Sequence, residues 1–154
     1  MLPDIVKSIY NKKSIYLRNP TAVRPWQHVL ESLYGYLILG KFLINRKLPN
    51  NKLPSWNFGP DSSNYKNVFN VTKTIISTWG LKKKIIKVKK IRFNESTFLK
   101  LNSQKANNEL KWHPILNFNE TIKLTVDWYK ALANNDNLET ITQKQIEFFL
   151  KKRS

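Results

Sequence analysis

The four glycines of this 154-residue chain stand at positions 35, 40, 59 and 80, too far apart to build a glycine-rich loop around a phosphate. A dinucleotide-binding enzyme needs such a loop between a strand and a helix, because only glycine lets the backbone approach the pyrophosphate closely. The chain also has no Tyr-x-x-x-Lys pair in a catalytic context. These residues therefore exclude a self-contained dinucleotide enzyme. Cysteine is absent, which removes disulfides, thiolate zinc sites and cysteine nucleophiles, and two histidines leave little material for any other metal centre. No metal site is expected. The length falls in the one-domain range of roughly 100–200 residues.

No run approaches the ~18 apolar residues of a bilayer span, and the chain starts Met-Leu-Pro-Asp rather than with a basic and then apolar leader. The expected location is the cytoplasm. A net charge of +17 raises the question of a polyanionic partner. The surplus is mostly lysine, and it accompanies abundant asparagine and isoleucine with sparse alanine and glycine, as AT-rich coding drift produces. Arginine, not lysine, is the residue suited to bidentate phosphate and base contacts. A solvated surface is the favoured reading and a lysine-rich nucleic-acid binder the alternative.

Short helices and strands alternate along the chain. Pro3 and Asp4 suit the first turn of a helix whose apolar side is Ile5, Val6 and Ile9, and Ile15–Leu17 reads as a short strand. Asn19-Pro20 and Arg24-Pro25 break regular structure. From His28 to about Ile44 the apolar spacing predicts a long, well-buried helix, and residues 45–54 form a polar loop. Ser55–Pro60 reads as a short strand ending in a turn. A helix over 67–79 is predicted by Val68, Val71, Ile75, Ile76 and Trp79, with Gly80 as its C-terminal cap. Residues 82–93 read as a strand with its lysines in water. Ser103 is placed to cap a helix that stops before Lys111-Trp112-His113-Pro114, and Asn117 or Asn119 caps another over 118–132. The last helix is expected over 143–151, where Thr142 and Gln145 have capping-box spacing.

Among polar side chains Arg24 is the strongest anion-binding candidate, since a planar guanidinium between prolines and beside Trp26 can take two phosphate oxygens. Pairing with a nearby carboxylate is an equal alternative. His28 stands at the start of an apolar helix, where an acid–base role competes with the more usual capping or packing role. Trp56, Trp79, Trp112 and Trp128 read as packing residues rather than base-stacking platforms. The run from Lys82 to Arg92 reads as a charged sheet edge that resists aggregation, ahead of a phosphate track.

Several segments together carry a family resemblance. They are Leu2–Val6, Arg18-Asn19-Pro20, Ala22-Val23-Arg24-Pro25-Trp26-Gln27-His28-Val29-Leu30-Glu31, Gly35-Tyr36-Leu37, Trp56-Asn57-Phe58-Gly59-Pro60, Leu99-Lys100-Leu101 with Ser103 and Lys105-Ala106, and Thr125-Val126-Asp127-Trp128-Tyr129. The terminal helix over 142–149 fits as well. Across essentially the whole chain they resemble the CDP-glucose 4,6-dehydratases, extended short-chain dehydrogenase/reductases of the NAD-dependent epimerase/dehydratase family. The chain departs from that pattern at Asn94-Glu95-Ser96, where the family has His-Glu-Ala, and at Leu110-Lys111-Trp112, where it has Leu-Gly-Trp.

The resemblance implies an α/β fold: the C-terminal substrate-binding portion of such an enzyme, mostly helical with short strands, as one incomplete domain over residues 1–154. It implies a reaction in which NAD oxidises the sugar at C4, water leaves across C5 and C6, and hydride returns at C6. Arg24 corresponds to the pyrophosphate grip and Tyr16 lies near the pyrimidine, while Asn94-Glu95 leads into Lys100 to close the nucleotide pocket. The cofactor loop, the acid/base carboxylate and the Tyr-x-x-x-Lys pair belong to a part that would precede Met1. No catalytic residue and no NAD site are then expected on this chain alone. The implied partners are CDP-glucose, an N-terminal Rossmann half and, for the complete enzyme, a second copy; membrane and nucleic acid are not. A non-catalytic nucleotide-sugar module, or a fragment of a related epimerase, is the alternative. The strand over 56–59 would return to the Rossmann sheet, so the isolated chain is expected to be poorly soluble or partly ordered.

Overall fold

The computed structural model describes residues 1–45, 54–82, 85–88 and 96–154. Six helices dominate: α1 (Leu2–Tyr10), α2 (Val29–Ile44), α3 (Val68–Trp79), α4 (Gln104–Leu110), α5 (Phe118–Ala133) and α6 (Leu138–Arg153). Four three-residue strands form two pairs. β1 (Ile15–Leu17) runs parallel to β4 (Ile86–Val88), with Tyr16 opposite Lys87, and β2 (Val23–Pro25) runs antiparallel to β3 (Tyr65–Asn67), with Arg24 opposite Lys66.

Local chemistry accounts for the helix ends. The Asn67 side chain accepts from the Asn70 N–H at 2.8 Å to start α3, and Gly80 ends it at φ +92°. Asn117 and Glu120 form a reciprocal capping box at the start of α5. Lys111 ends α4 in the left-handed region, φ +54°, where a side chain costs roughly 1 kcal/mol that glycine avoids. A glycine at position 111 would avoid that backbone cost.

The main core is built from Ile5 and Ile9 of α1, Ile15 and Leu17 of β1, Val71, Ile75 and Ile76 of α3, and Ile122 and Val126 of α5. A second cluster joins Ala106 and Leu110 of α4 to the fully buried Trp112, flanked by Tyr34, Ile38, Leu39 and Phe42 of α2 and by Trp56 and Phe58.

Five sequence expectations change. Trp56–Gly59 is not a strand among the described residues: the Gly59 N–H donates to Ser103 Oγ at 2.7 Å and its carbonyl accepts from the same hydroxyl at 3.3 Å, so side-chain bonds replace a ladder. The same contacts turn the Ser103 hydroxyl away from capping α4. Arg24-Pro25 does not break regular structure but ends β2, where a proline at the strand end forfeits no needed donor. Helix α2 buries only Glu31 and Gly35; Tyr34, Ile38 and Phe42 face the second cluster, while Val29, Leu33, Tyr36, Leu37 and Ile44 lie open on the other side. Finally, α6 starts five residues early, with Asn137 as its cap and Thr142 inside it, bonded back to the Leu138 carbonyl at 2.7 Å. Of the lysine-rich strand expected over 82–93, Ile86–Val88 is present. Residues 83–84 and 89–93 lie outside the described residues, as do 46–53 of the expected loop.

Candidate functional site

The segment from Tyr16 to Trp26 lies against α1, and together they enclose a cleft of about 340 Å3 lined by Tyr16, Arg18, Asn19, Arg24 and Trp26, with Asp4 and Ser8 on the helix side. Arg24 is held by its strand. β3 pairs with it on one edge; on the other, the Val23 N–H donates to the Thr97 carbonyl at 2.8 Å and the Leu99 N–H donates to the Val23 carbonyl at 3.3 Å. Trp26 adds a further tie, its Nε1–H donating to the Lys66 carbonyl at 2.8 Å. The guanidinium therefore projects from a backbone fixed on both sides.

No carboxylate pairs with Arg24 among the described residues. Among the described residues the ion pairs are Met1–Asp4, Lys123–Asp127, Lys152–Glu120 and Arg153–Glu31, and Arg24 Nη1 instead donates to the Val23 carbonyl at 2.9 Å. Arg18 and Arg24 leave the cleft a net cationic lining among the described residues, since the one acidic residue of these, Asp4, is matched by the Met1 amino group at 3.2 Å. A guanidinium with free donors in a concave, partly apolar site suits an anionic oxygen cluster. Tyr16, on β1, presents an exposed ring beside Lys87, whose Nζ stands 5.9 Å from the ring centroid.

Arg24 and Tyr16 are thus brought together. Lys100 is not among the residues lining their cleft: it is exposed and borders a different depression of about 560 Å3 with Gly59, Asp61, Ser62 and Tyr65. Glu95 and Asn94 lie outside the described residues. Among those residues no group of three or more His, Asp or Glu side chains is arranged to hold a metal, and no helix is long and apolar enough to cross a membrane.

The rest of the Arg24–Val29 hexapeptide is a joint. The Gln27 amide donates to Ser32 Oγ at 2.7 Å and to the Phe58 carbonyl at 3.1 Å. His28 caps α2, its Nδ1 accepting the Leu30 N–H at 3.4 Å, and is 6 % exposed. Burial lowers the His28 pKa from 6.5 to about 4. The imidazole is therefore neutral near neutral pH, as a capping acceptor must be. Because the folded value lies below the unfolded one, its contribution to stability is complete above pH 6.5 and is lost as pH falls from 6.5 towards 4. We predict a loss of up to about 3 kcal/mol over that window. Urea unfolding at a series of pH values should show it, and a His28→Asn variant with an equally steep acid slope would rule His28 out as the source.

Sequence reasoning missed the role of Glu31. Its side chain is 1 % exposed, Oε1 accepts the Ile115 and Leu116 N–H groups at 2.7 Å each, and Oε2 meets Arg153 Nη2 at 2.8 Å. The available signal was a lone carboxylate in an otherwise apolar helix, three residues past the His28 cap.

No protein-family model matches the chain. It is 31 % identical over 150 residues to the CDP-glucose 4,6-dehydratase of Salmonella typhimurium, covering 97 % of this chain and 41 % of that protein. It is also 31 % identical over 125 residues to the bifunctional protein GAL10 of Pachysolen tannophilus, covering 81 % of this chain and 17 % of that protein. Among solved structures, the NAD complex of dTDP-glucose 4,6-dehydratase from Bacillus anthracis superposes with a TM-score of 0.67 at 24 % identity, over 84 % of this chain and 38 % of that one. UDP-glucose 4-epimerase from Stenotrophomonas maltophila, with NAD and formylated UDP-arabinopyranose, gives 0.71 at 15 % identity, over 87 % and 40 %. The chain spans about two-fifths of the dehydratases it matches. In sequence and in its helix-rich α/β architecture the chain is similar, over nearly its whole length, to nucleotide-sugar dehydratases and epimerases of the extended short-chain dehydrogenase/reductase family, and a C-terminal portion of such an enzyme fits the match.

Proposed function

We propose that this chain is the substrate-binding portion of a CDP-glucose 4,6-dehydratase, a lyase of nucleotide-sugar metabolism, and that it holds the nucleotide sugar in the Arg24 cleft without completing the reaction alone. The observation that carries the reading is the convergence of Arg24 and Tyr16 on one cleft with no carboxylate claiming the guanidinium among the described residues. Arg24 takes the pyrophosphate oxygens and Tyr16 lies by the base. Closure of the pocket is assigned to Glu95 and Lys100, which in sequence flank the residues 97–99 that bond to Val23.

The described residues do not fit an NAD pyrophosphate. Gly35 and Gly40 lie inside α2, Gly59 is packed where an added Cβ would stand 2.8 Å from Leu101, and Gly80 caps a helix end. None lies between a strand and the start of a helix, where a dinucleotide phosphate is cradled. We assign the cofactor, and the groups that do the chemistry, to the three-fifths of a full-length relative that this chain does not span. The open side of α2, from Val29 through Leu33 and Leu37 to Ile44, is the surface on which that cofactor half would close. Alone, the chain is then prone to self-association in the cytoplasm.

Calorimetric titration tests the reading. CDP-glucose should bind the chain, and Arg24→Ala should weaken binding at least tenfold, the loss expected for a charge-assisted phosphate contact of roughly 1.5–3 kcal/mol. Adding a separately expressed NAD-binding half should tighten binding and yield the 4-keto-6-deoxy product. Indifference of binding and turnover to Arg24→Ala would defeat the assignment. UDP-glucose binding more tightly than CDP-glucose would favour the epimerase-related reading instead.

A further inference from the structure

A second cleft lies at the opposite end of α1 and β1. The first cleft takes Met1 and, from α1, Asp4, Ile5 and Ser8, whereas the second begins beyond that helix at Lys12, Lys13 and Ser14. Nine residues of helix, about 13 Å, run between the two ends. Lys73 of α3 and Lys82, just past the Gly80 cap, complete its cationic lining, with Ser77 among them and Ile76 and Ile86 at its base. Its volume is about 690 Å3.

The charge in this cleft is uncompensated. All four lysines are exposed, none of the described residues lining it is acidic, and no described ion pair includes any of the four. Lys73 has only the Phe69 ring, 5.6 Å from its Nζ. Two helix C-termini, of α1 and α3, end close by, and such ends attract lysines, which is the simplest structural reason for finding them there. The magnitudes decide against that reason as the whole account. Each terminus carries about half a negative charge, and its last carbonyls are already taken by the N–H groups of Asn11, Lys12 and Lys13 and of Gly80 and Leu81. Four full positive charges exceed that by about three.

We propose that this cleft is a binding site for a small oligophosphate, a soluble anion carrying three or more linked phosphate groups. Concavity favours such a ligand over a duplex or a planar bilayer, both of which need an extended surface. No aromatic residue stands among the described residues of the lining, which argues against base stacking, and lysines binding as point charges suit closely spaced phosphates without demanding a fixed geometry. The Ser14 hydroxyl adds a donor beside the charges, whereas that of Ser77 donates to the Thr74 carbonyl at 3.1 Å.

Inorganic tripolyphosphate titrated into the full chain at low ionic strength tests the proposal. Expected are saturable binding of one anion per chain, backbone NMR shifts centred on residues 12–14, 73, 77 and 82, and steep weakening with added salt. The Lys73→Gln/Lys82→Gln pair should weaken binding about tenfold, while Lys144→Gln/Lys151→Gln, an equal charge change on α6, should leave it within about twofold. Absence of saturable binding, an equal loss in the α6 pair, or shifts centred on Tyr16–Arg24 would overturn the proposal. So would tighter binding of duplex DNA, or of phosphatidylglycerol vesicles, at matched phosphate concentration.

Discussion

Glu31→Ala should destabilise the chain by about 3–5 kcal/mol, a large share of the 5–15 kcal/mol that holds a domain of this kind folded. The substitution strands several partners at once. The buried Leu116 N–H and the partly buried Ile115 N–H lose their acceptor, and the Arg153 guanidinium loses its counter-charge. That guanidinium is tightly enclosed: it lies 4.0 Å from the Tyr34 ring centroid and 4.9 Å from that of Phe149, and it also donates to the His113 carbonyl at 2.8 Å. Removing one partner of a buried pair leaves the other desolvated and unmatched, whereas replacing both with apolar residues costs far less. The double variant Glu31→Leu/Arg153→Met should therefore recover most of the loss. Urea denaturation followed by far-UV circular dichroism measures both; a Glu31→Ala variant within 1 kcal/mol of the parent would show that the pair contributes little.

Trp112→Ala carries the other large penalty, again about 3–5 kcal/mol, because the indole is 0 % exposed and its loss opens a cavity at the centre of the second cluster. Its ring meets Phe58 edge-on at 5.1 Å, and its Nε1–H donates to the Glu31 carbonyl at 3.2 Å. Trp112→Phe retains most of the volume and gives up that bond, so a loss of about 1–2 kcal/mol is expected. Because the Trp112 indole bonds to the Glu31 carbonyl while the Glu31 carboxylate holds the backbone at Ile115 and Leu116, the two alanine substitutions should not add. A double-mutant cycle showing full additivity would mean that the cluster and the ion pair act independently. A thermal scan should place the Trp112→Ala midpoint roughly 10 °C below the parent.

Much of the helical framework was legible in the residues because its signals are local. Asn67 and Gly80 bracket α3, and Asn117 with Glu120 opens α5, all within one turn of the elements they define. Strands were harder. β3 is Tyr65-Lys66-Asn67, with no alternating apolar pattern to mark it, and its existence depends on β2 forty residues earlier. The Trp56–Gly59 segment has strand-like residues yet is organised by Ser103 and Trp112, contacts that no local pattern encodes. Arg24 was legible as a candidate because the motif around it is specific, and the fold places it and Tyr16 on one cleft. Lys100 was expected to join them and instead borders the Gly59 depression, since residues 97–99 bond to Val23 before the chain turns towards Tyr65. Glu31 escaped notice because its function is fixed by partners 84 to 122 positions away.

That separation sets an order of assembly. The main core draws on residues 5 to 126 and can close as soon as α5 is available. The Glu31 carboxylate, by contrast, sits at the head of α2 and cannot be neutralised until a guanidinium 122 positions later arrives. A chain growing from its N-terminus therefore carries an uncompensated charge at the base of its most apolar helix for most of its synthesis. Until then that helix is better kept wet than buried, and the last turn of α6 acts as the latch that lets it dock.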